Sequence, residues 1–163
     1  MKILGIDPGT ATTGFGVVEK NENNFKCLDF GVIATSPEKS ESERLGKIFK
    51  EISLLCKKEK PDLAVIEKIY FFKNLKTAFP VAQARGVIML AIYQNKIDVV
   101  QLTPLEVKMG ICGYGRAEKQ QVQKMVKETL NLSKIPKPDD AADALALAVC
   151  GSLKINLLKN KSC

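Results

Sequence analysis

Histidine is absent from this chain of 163 residues, and that gap excludes much of enzyme chemistry. Histidine general bases, Ser-His-Asp triads and most catalytic zinc sites fall together. Cysteine is sparse and unpatterned: Cys27, Cys56, Cys112, Cys150 and Cys163 are scattered, odd in number and form no C-x-x-C pair. Neither a disulfide framework nor a zinc ribbon is indicated, and reduced thiols explain them better. Long hydrophobic runs are also missing; the stretch around Val87 to Ile92 is too short to span a bilayer. The opening Met1-Lys2-Ile3-Leu4-Gly5 runs straight into a strand-like pattern and lacks the regions of a signal peptide. No repeat, linker or low-complexity segment appears. The expectation is a cytoplasmic protein with no membrane segment, whose chemistry rests on carboxylates, lysines and hydroxyls.

What is present is an ordinary globular balance, 45% hydrophobic and 26% charged, in a length that fits one domain with a sizeable core. Residues 1–155 are read as that domain, and 156–163 as a basic, partly disordered tail. The formal charge is +7, from 25 basic and 18 acidic residues. A basic body attracts phosphates, and a small acidic site within it holds cations. Charge alone does not separate that from a merely basic protein.

Strand patterns cover Lys2–Asp7, Gly14–Glu19 and Phe25–Thr35, with short links that suggest an antiparallel meander. From Glu43 to Lys58 the apolar residues Leu45, Ile48, Phe49, Ile52 and Leu55 make one face of a helix, which Pro61-Asp62 stops. Leu63–Glu67 is a short apolar strand, Thr77–Gln94 a helix and Ile97–Leu102 a fifth strand. Thr103 and Pro104 are suited to the N-cap and first position of a short helix. Gly110–Gly115, with three glycines, is expected to be a mobile loop. Helices follow at Glu118–Asn131 and Asp139–Leu153, separated by Pro136 and Pro138. The order predicts an α/β domain, antiparallel at its start and joined by helical crossovers later.

Asp7 ends the first strand and Glu67 the fourth. A right-handed crossover making these strands parallel neighbours brings both acids to one sheet edge, where open α/β sheets bind ligands. Asp140 and Asp143 share a helix face at i and i+3. Oxygen ligands without His or Cys select hard cations, Mg²⁺ or Mn²⁺. Two-metal phosphodiester hydrolysis needs several carboxylates converging from separate elements. Each acid taken singly has an ordinary explanation: Asp7 starts a turn before Pro8-Gly9, Glu67 is a solvated strand end, and Asp139 or Asp140 is a cap or first-turn acid. Asp143 is harder to explain so, being the lone charge in the apolar run from Ala141 to Val149.

Taken in order, these segments resemble the RuvC family of Holliday-junction resolvases over nearly the whole chain. The matching residues are Ile3-Leu4-Gly5-Ile6-Asp7-Pro8-Gly9 with Thr13-Gly14-Phe15-Gly16, then Val65-Ile66-Glu67 followed by aromatics and Lys73-Asn74. Gln83-Ala84-Arg85-Gly86 and Asp140-Ala141-Ala142-Asp143-Ala144-Leu145 complete the set. The resemblance implies an RNase H-like fold with a five-stranded mixed sheet flanked by helices. It also implies a Mg²⁺-dependent endodeoxyribonuclease, with Mn²⁺ able to substitute, acting in homologous recombination and DNA repair. A homodimer would nick a four-way junction symmetrically, leaving religatable 5′-phosphate and 3′-hydroxyl ends, and would meet the RuvA–RuvB branch-migration complex. The family prefers a thymine-containing cleavage site.

The family's four metal-binding, catalytic acids fall on Asp7, Glu67, Asp140 and Asp143. The Ala-Ala-Asp-Ala-Leu match selects Asp140, whereas an i, i+4 pairing would allow Asp139 with Asp143; Asp139 is taken as a cap or supporting acid. Among Tyr70, Phe71 and Phe72, Tyr70 matches the aromatic that wedges against bases at the junction centre, while at least one ring is expected in the core. Lys108 and Lys119 match basic residues that contact DNA or stabilise the transition state. Arg116, beside the glycine-rich stretch, and Lys73-Asn74 are further candidates for DNA contact, as is Arg85 unless it serves packing or the dimer. Three other readings compete: an actin-like ATPase, because Asp7-Pro8-Gly9-Thr10 resembles its first phosphate loop; a junction-binding scaffold without cleavage; and a different RNase H-like nuclease acting on RNA, against which stand the aromatics after Glu67 and the Asp140-to-Leu145 match. The first needs two domains around a nucleotide, and the second gains nothing from carboxylates near phosphates.

Overall fold

The structure, a computed structural model, describes residues 1–22, 24–68 and 75–159. Five strands, β1 (Lys2–Asp7), β2 (Thr12–Asn21), β3 (Asn24–Ala34), β4 (Leu63–Glu67) and β5 (Asp98–Leu102), form a single sheet in the order β3-β2-β1-β4-β5. β1, β2 and β3 are antiparallel, whereas β4 runs parallel to β1 and β5 parallel to β4. Helices α1 (Glu41–Glu59), α2 (Leu75–Gln94), α3 (Pro104–Cys112), α4 (Lys119–Thr129) and α5 (Asp139–Lys159) complete the order. No helix among the described residues is long and apolar enough to cross a membrane.

Strand alternation divides the core into two layers. Leu4, Ile6, Val17, Ala64 and Ile66 point to one face and meet Ile48 and Ile52 of α1 and Ala84, Ile88, Ala91 and Ile92 of α2. Ile3, Val18, Leu63, Val65 and Leu102 point to the other and meet α3, α4 and α5. Each buried aliphatic side chain contributes about 1.5–3 kcal/mol relative to exposure, so burying both faces fixes the register of the central strands. Glu67 and Asp7 share the face of Val65 and Ile3 by period-two alternation, the face that α5 covers.

Local signals set several boundaries. Ser40 caps α1 in a reciprocal box with Glu43, and Thr103 does the same for α3 with Glu106, with Pro104 at the first helical position. α1 stops at Lys60, whose left-handed backbone (φ 48°) bonds its N–H to the Cys56 carbonyl, one residue before the expected proline. The Gly110–Gly115 stretch is not all loop: α3 continues through Gly110 to Cys112 and closes on a left-handed Gly113. Gly110 is there for packing, because a Cβ would collide with the Cys150 sulfur of α5. α5 likewise runs past Leu153 to Lys159.

Candidate active site

The glycines of β1 and β2 determine how near the last helix lies. Gly5 and Gly16 are cross-strand partners, as are Asp7 and Gly14. A Cβ on Gly5 would collide with the Ala144 carbonyl, and one on Gly14 with the Asp140 carbonyl. α5 therefore lies directly on the backbone of β1 and β2, and Asp140 is delivered beside the strand pair that carries Asp7. Ile6 pairs with Ile66 in the parallel β1–β4 ladder, so Asp7 and Glu67 follow at adjacent strand ends. Asp143 is one turn further along α5.

The electrostatics follow from this convergence. Burial pushes the Asp7 carboxyl up to about 7, and the charges of Glu67, Asp143 and Asp140 add to the rise. Glu67 is also raised, by burial and then by Asp143. Lys119 opposes both shifts; its Nζ is 2.9 Å from Asp143 Oδ2 and 3.5 Å from Asp139 Oδ2. Burial works against the Lys119 ammonium, but the bond to Asp143 and the charges of Asp143 and Asp139 outweigh it and hold the amine above its ordinary value. Asp139 itself is held low by Lys137 and also by Lys119, and is not among the charges acting on Asp7. Among the described residues, no three His, Cys, Asp or Glu side chains close into a set that would hold an ion unaided.

Two depressions flank the acids. One, of about 260 Å³, is lined by Glu67, Asp143, Lys108 and Lys119 over an apolar floor that includes Val107 and Leu147. The other, of about 440 Å³, is bordered by Asp7, Asp140, the Pro8–Thr12 link and Arg44. Sequence reasoning missed Arg44, which stood at the edge of an amphipathic helix with nothing to single it out. It also missed the purpose of the paired glycines in Gly5-Ile6-Asp7 and Gly14-Phe15-Gly16, although alternating glycine beside an acid signals a closely approaching backbone.

Of the other candidates, Lys108 and Lys119 join the acids, whereas Arg116 is exposed between α3 and α4. Arg85 donates to the Gln101 side chain at 2.6 Å, tying α2 to β5. Tyr70, Phe71, Phe72, Lys73 and Asn74 lie outside the described residues.

Comparison with known proteins agrees with this architecture. A family model described as crossover junction endodeoxyribonuclease RuvC matches residues 3–151. The RuvC of Fusobacterium nucleatum subsp. nucleatum is 52% identical over 149 residues, 91% of this chain and 78% of the relative. That of Thermosipho melanesiensis is 52% identical over 150 residues, 92% of this chain and 96% of the relative. The Thermus thermophilus RuvC structure superposes with a TM-score of 0.89 at 31% identity, covering 96% of each chain. A second structure of that protein, in complex with Holliday junction substrate, has a TM-score of 0.89 at 28% identity and the same coverage. Matched across nearly its whole described length in sequence and in fold, the chain belongs to the RuvC family of crossover junction endodeoxyribonucleases.

Proposed function

We propose that this chain is a divalent-cation-dependent endonuclease that resolves four-way DNA junctions by paired nicks. The observation that carries the reading is the meeting of two parallel strand ends, bearing Asp7 and Glu67, with the α5 turn that bears Asp140 and Asp143. The donor chemistry fits a hard cation: four carboxylates, no histidine, and mutual repulsion that leaves the site short of positive charge. Carboxylates and substrate phosphate oxygens together would complete the coordination, as is usual for Mg²⁺. Mg²⁺ bound there supplies Lewis-acid polarisation of the phosphate and a more acidic attacking water.

The chain's own residues do the rest. Asp7 and Glu67 hold protons more firmly than ordinary acids, so they release them as positive charge arrives. Lys119 pairs with Asp143 and is placed to turn toward a phosphate once that carboxylate is neutralised otherwise. Lys108 lines the same depression and adds a second cation beside Lys119. Val107, Val122, Ala146 and Leu147 keep that wall dry, which strengthens each charge interaction beside it.

A four-way junction is symmetric, and paired nicks need two sites. The α2 surface supports a second copy as partner: Phe79, Leu90 and Tyr93 are exposed on one stripe with Gly86 between them. Tyr70 as the wedge, Phe71, Lys73, Asn74 and Arg116 as DNA contacts, and RuvA–RuvB as cytoplasmic partner belong to the same reading.

The test is a labelled synthetic junction against linear duplex in Mg²⁺. Symmetric paired nicks with duplex largely spared are expected, and Asp7→Asn should abolish cutting while binding is kept or improved. A protein that binds the junction but never cuts with Mg²⁺ or Mn²⁺ is a scaffold, and the reading fails.

A further inference from the structure

The depression on the Asp7–Asp140 side has a charged wall that the reaction above does not use. Arg44, half-buried near the start of α1, donates from Nε to Thr35 Oγ1 at 2.8 Å. Thr35 Oγ1 donates in turn to the Thr10 carbonyl at 2.6 Å, and the Thr35 amide donates to the Ala11 carbonyl at 2.9 Å. Thr13 Oγ1 secures the Gly9 carbonyl at 2.6 Å. The carbonyls of this link are thus tied back into the protein. Its amides at Gly9, Thr10 and Ala11 donate to no described residue, and the buried Thr10 hydroxyl has no partner either. Gly9 is fixed by space: a Cβ would collide with the Thr12 carbonyl.

Arg44 is not a counter-ion for the acids. It makes no ion pair among the described residues, and the cation acting on Asp7 is Lys119. Its guanidinium is anchored through one of five donors, leaving the terminal N–H groups unspent in a groove that opens onto Asp7 and Asp140. Free donors held rigidly beside free amides suit a phosphate, and arginine presents them in a fixed fork.

We propose that Arg44 and the Pro8–Thr12 link bind a DNA phosphate adjacent to the one that is cut, on the side away from Lys108 and Lys119. This rests on the junction-nuclease reading. A strand crossing the four acids is then held by cations on both sides, and Arg44 sets where along the strand the cut falls. Arg44 touches substrate but not the reacting atoms; it is a positioning residue.

The experiment is a thermodynamic cycle. Junctions carrying one neutral methylphosphonate, scanned over the phosphates flanking the cut, are tested with wild-type protein, Arg44→Gln, Arg44→Lys and Thr35→Val. Binding is measured by fluorescence anisotropy in Ca²⁺, and cleavage in Mg²⁺. Arg44→Gln should weaken the unmodified junction about 10- to 100-fold in kcat/KM, the range for a hydrogen bond to a charged group, with melting temperature unchanged. That loss should vanish at one flanking methylphosphonate only. Arg44→Lys should recover part of it, and Thr35→Val, which keeps the charge but frees it, should fall between. An equal loss on every modified junction, or none on the unmodified one, overturns the proposal. Wild-type protein that binds but never cuts sinks the nuclease reading instead, while the binding cycle still decides Arg44.

Discussion

Lys119 Nζ and Asp143 Oδ2 stand 2.9 Å apart, so an ammonium already holds a carboxylate that the proposed divalent-cation site would need. The two compete for one carboxylate. Lys119→Gln should therefore bind Mn²⁺ about two- to fivefold more tightly in the absence of DNA, the scale of a half-exposed ion pair, yet cut more slowly. Calorimetric titration of Mn²⁺ reads the first effect. Unchanged or weaker Mn²⁺ binding would show that the lysine does not contest the site.

Asp7, held near 7 by burial and its acidic neighbours, gives the metal-free protein a pH dependence opposite to that of a salt-bridged carboxylate. Between about pH 4 and 7 the folded chain keeps a proton that the unfolded chain has lost. Stability from this group is therefore present at low pH and lost as pH rises through that window, then stays flat. Glu67 is shifted in the same direction. In EDTA the melting temperature should fall from about pH 4 to 7 and level off above; Mg²⁺ should flatten the fall, and Asp7→Asn should reduce it. A flat profile in EDTA would contradict this account.

The contact of α5 with Gly5 can be tested by one methyl group. Gly5→Ala forces the strand against the Ala144 carbonyl, at a cost of about 1–3 kcal/mol for overpacking. Because the same helix carries Asp140 and Asp143, cleavage should fall more steeply than stability. A well-folded Gly5→Ala protein with full cleavage would mean that the close approach is not what sets the acids.

Leu90 and Tyr93 lie exposed on α2, and a charge on that stripe should separate two copies while leaving each fold intact. Sedimentation equilibrium of Leu90→Glu should give a monomer with an unchanged circular dichroism spectrum and unpaired, slow nicking. A dimer that survives Leu90→Glu and Tyr93→Glu together places the interface elsewhere.

The fold was readable in the sequence because each layer speaks in its own period. Ile48 and Ile52 repeat as a helix does, and Leu63 to Ile66 read as a buried strand, so the element order and the parallel pairing of β1 with β4 were accessible. The placement of the four acids was legible as well: Asp7 and Glu67 end apolar strands, Asp140 lies in the first turn of the last helix, and Asp143 is the lone charge within its apolar run. Arg44 and Thr35 were not, because their relation spans a loop and two elements and leaves no periodic trace. Gly110 misled for a related reason: glycine in sequence signals freedom, but here it admits the Cys150 sulfur. Lys119 was seen as a cation near DNA, but its partnership with Asp143 depends on how α4 meets α5, which no local pattern encodes.

The docking of α5 on Gly5 and Gly14 also governs when the protein becomes dangerous. Asp7 and Glu67 are made early in synthesis, but Asp140 and Asp143 come from the last helix. Their meeting joins residues far apart in the chain and requires the last helix to be in place. A nascent or C-terminally clipped chain therefore carries half the acids and no helix to bring them together. With these four acids as the proposed cutting site, DNA near an unfinished molecule is safe from it, and cutting capacity comes only with the completed fold.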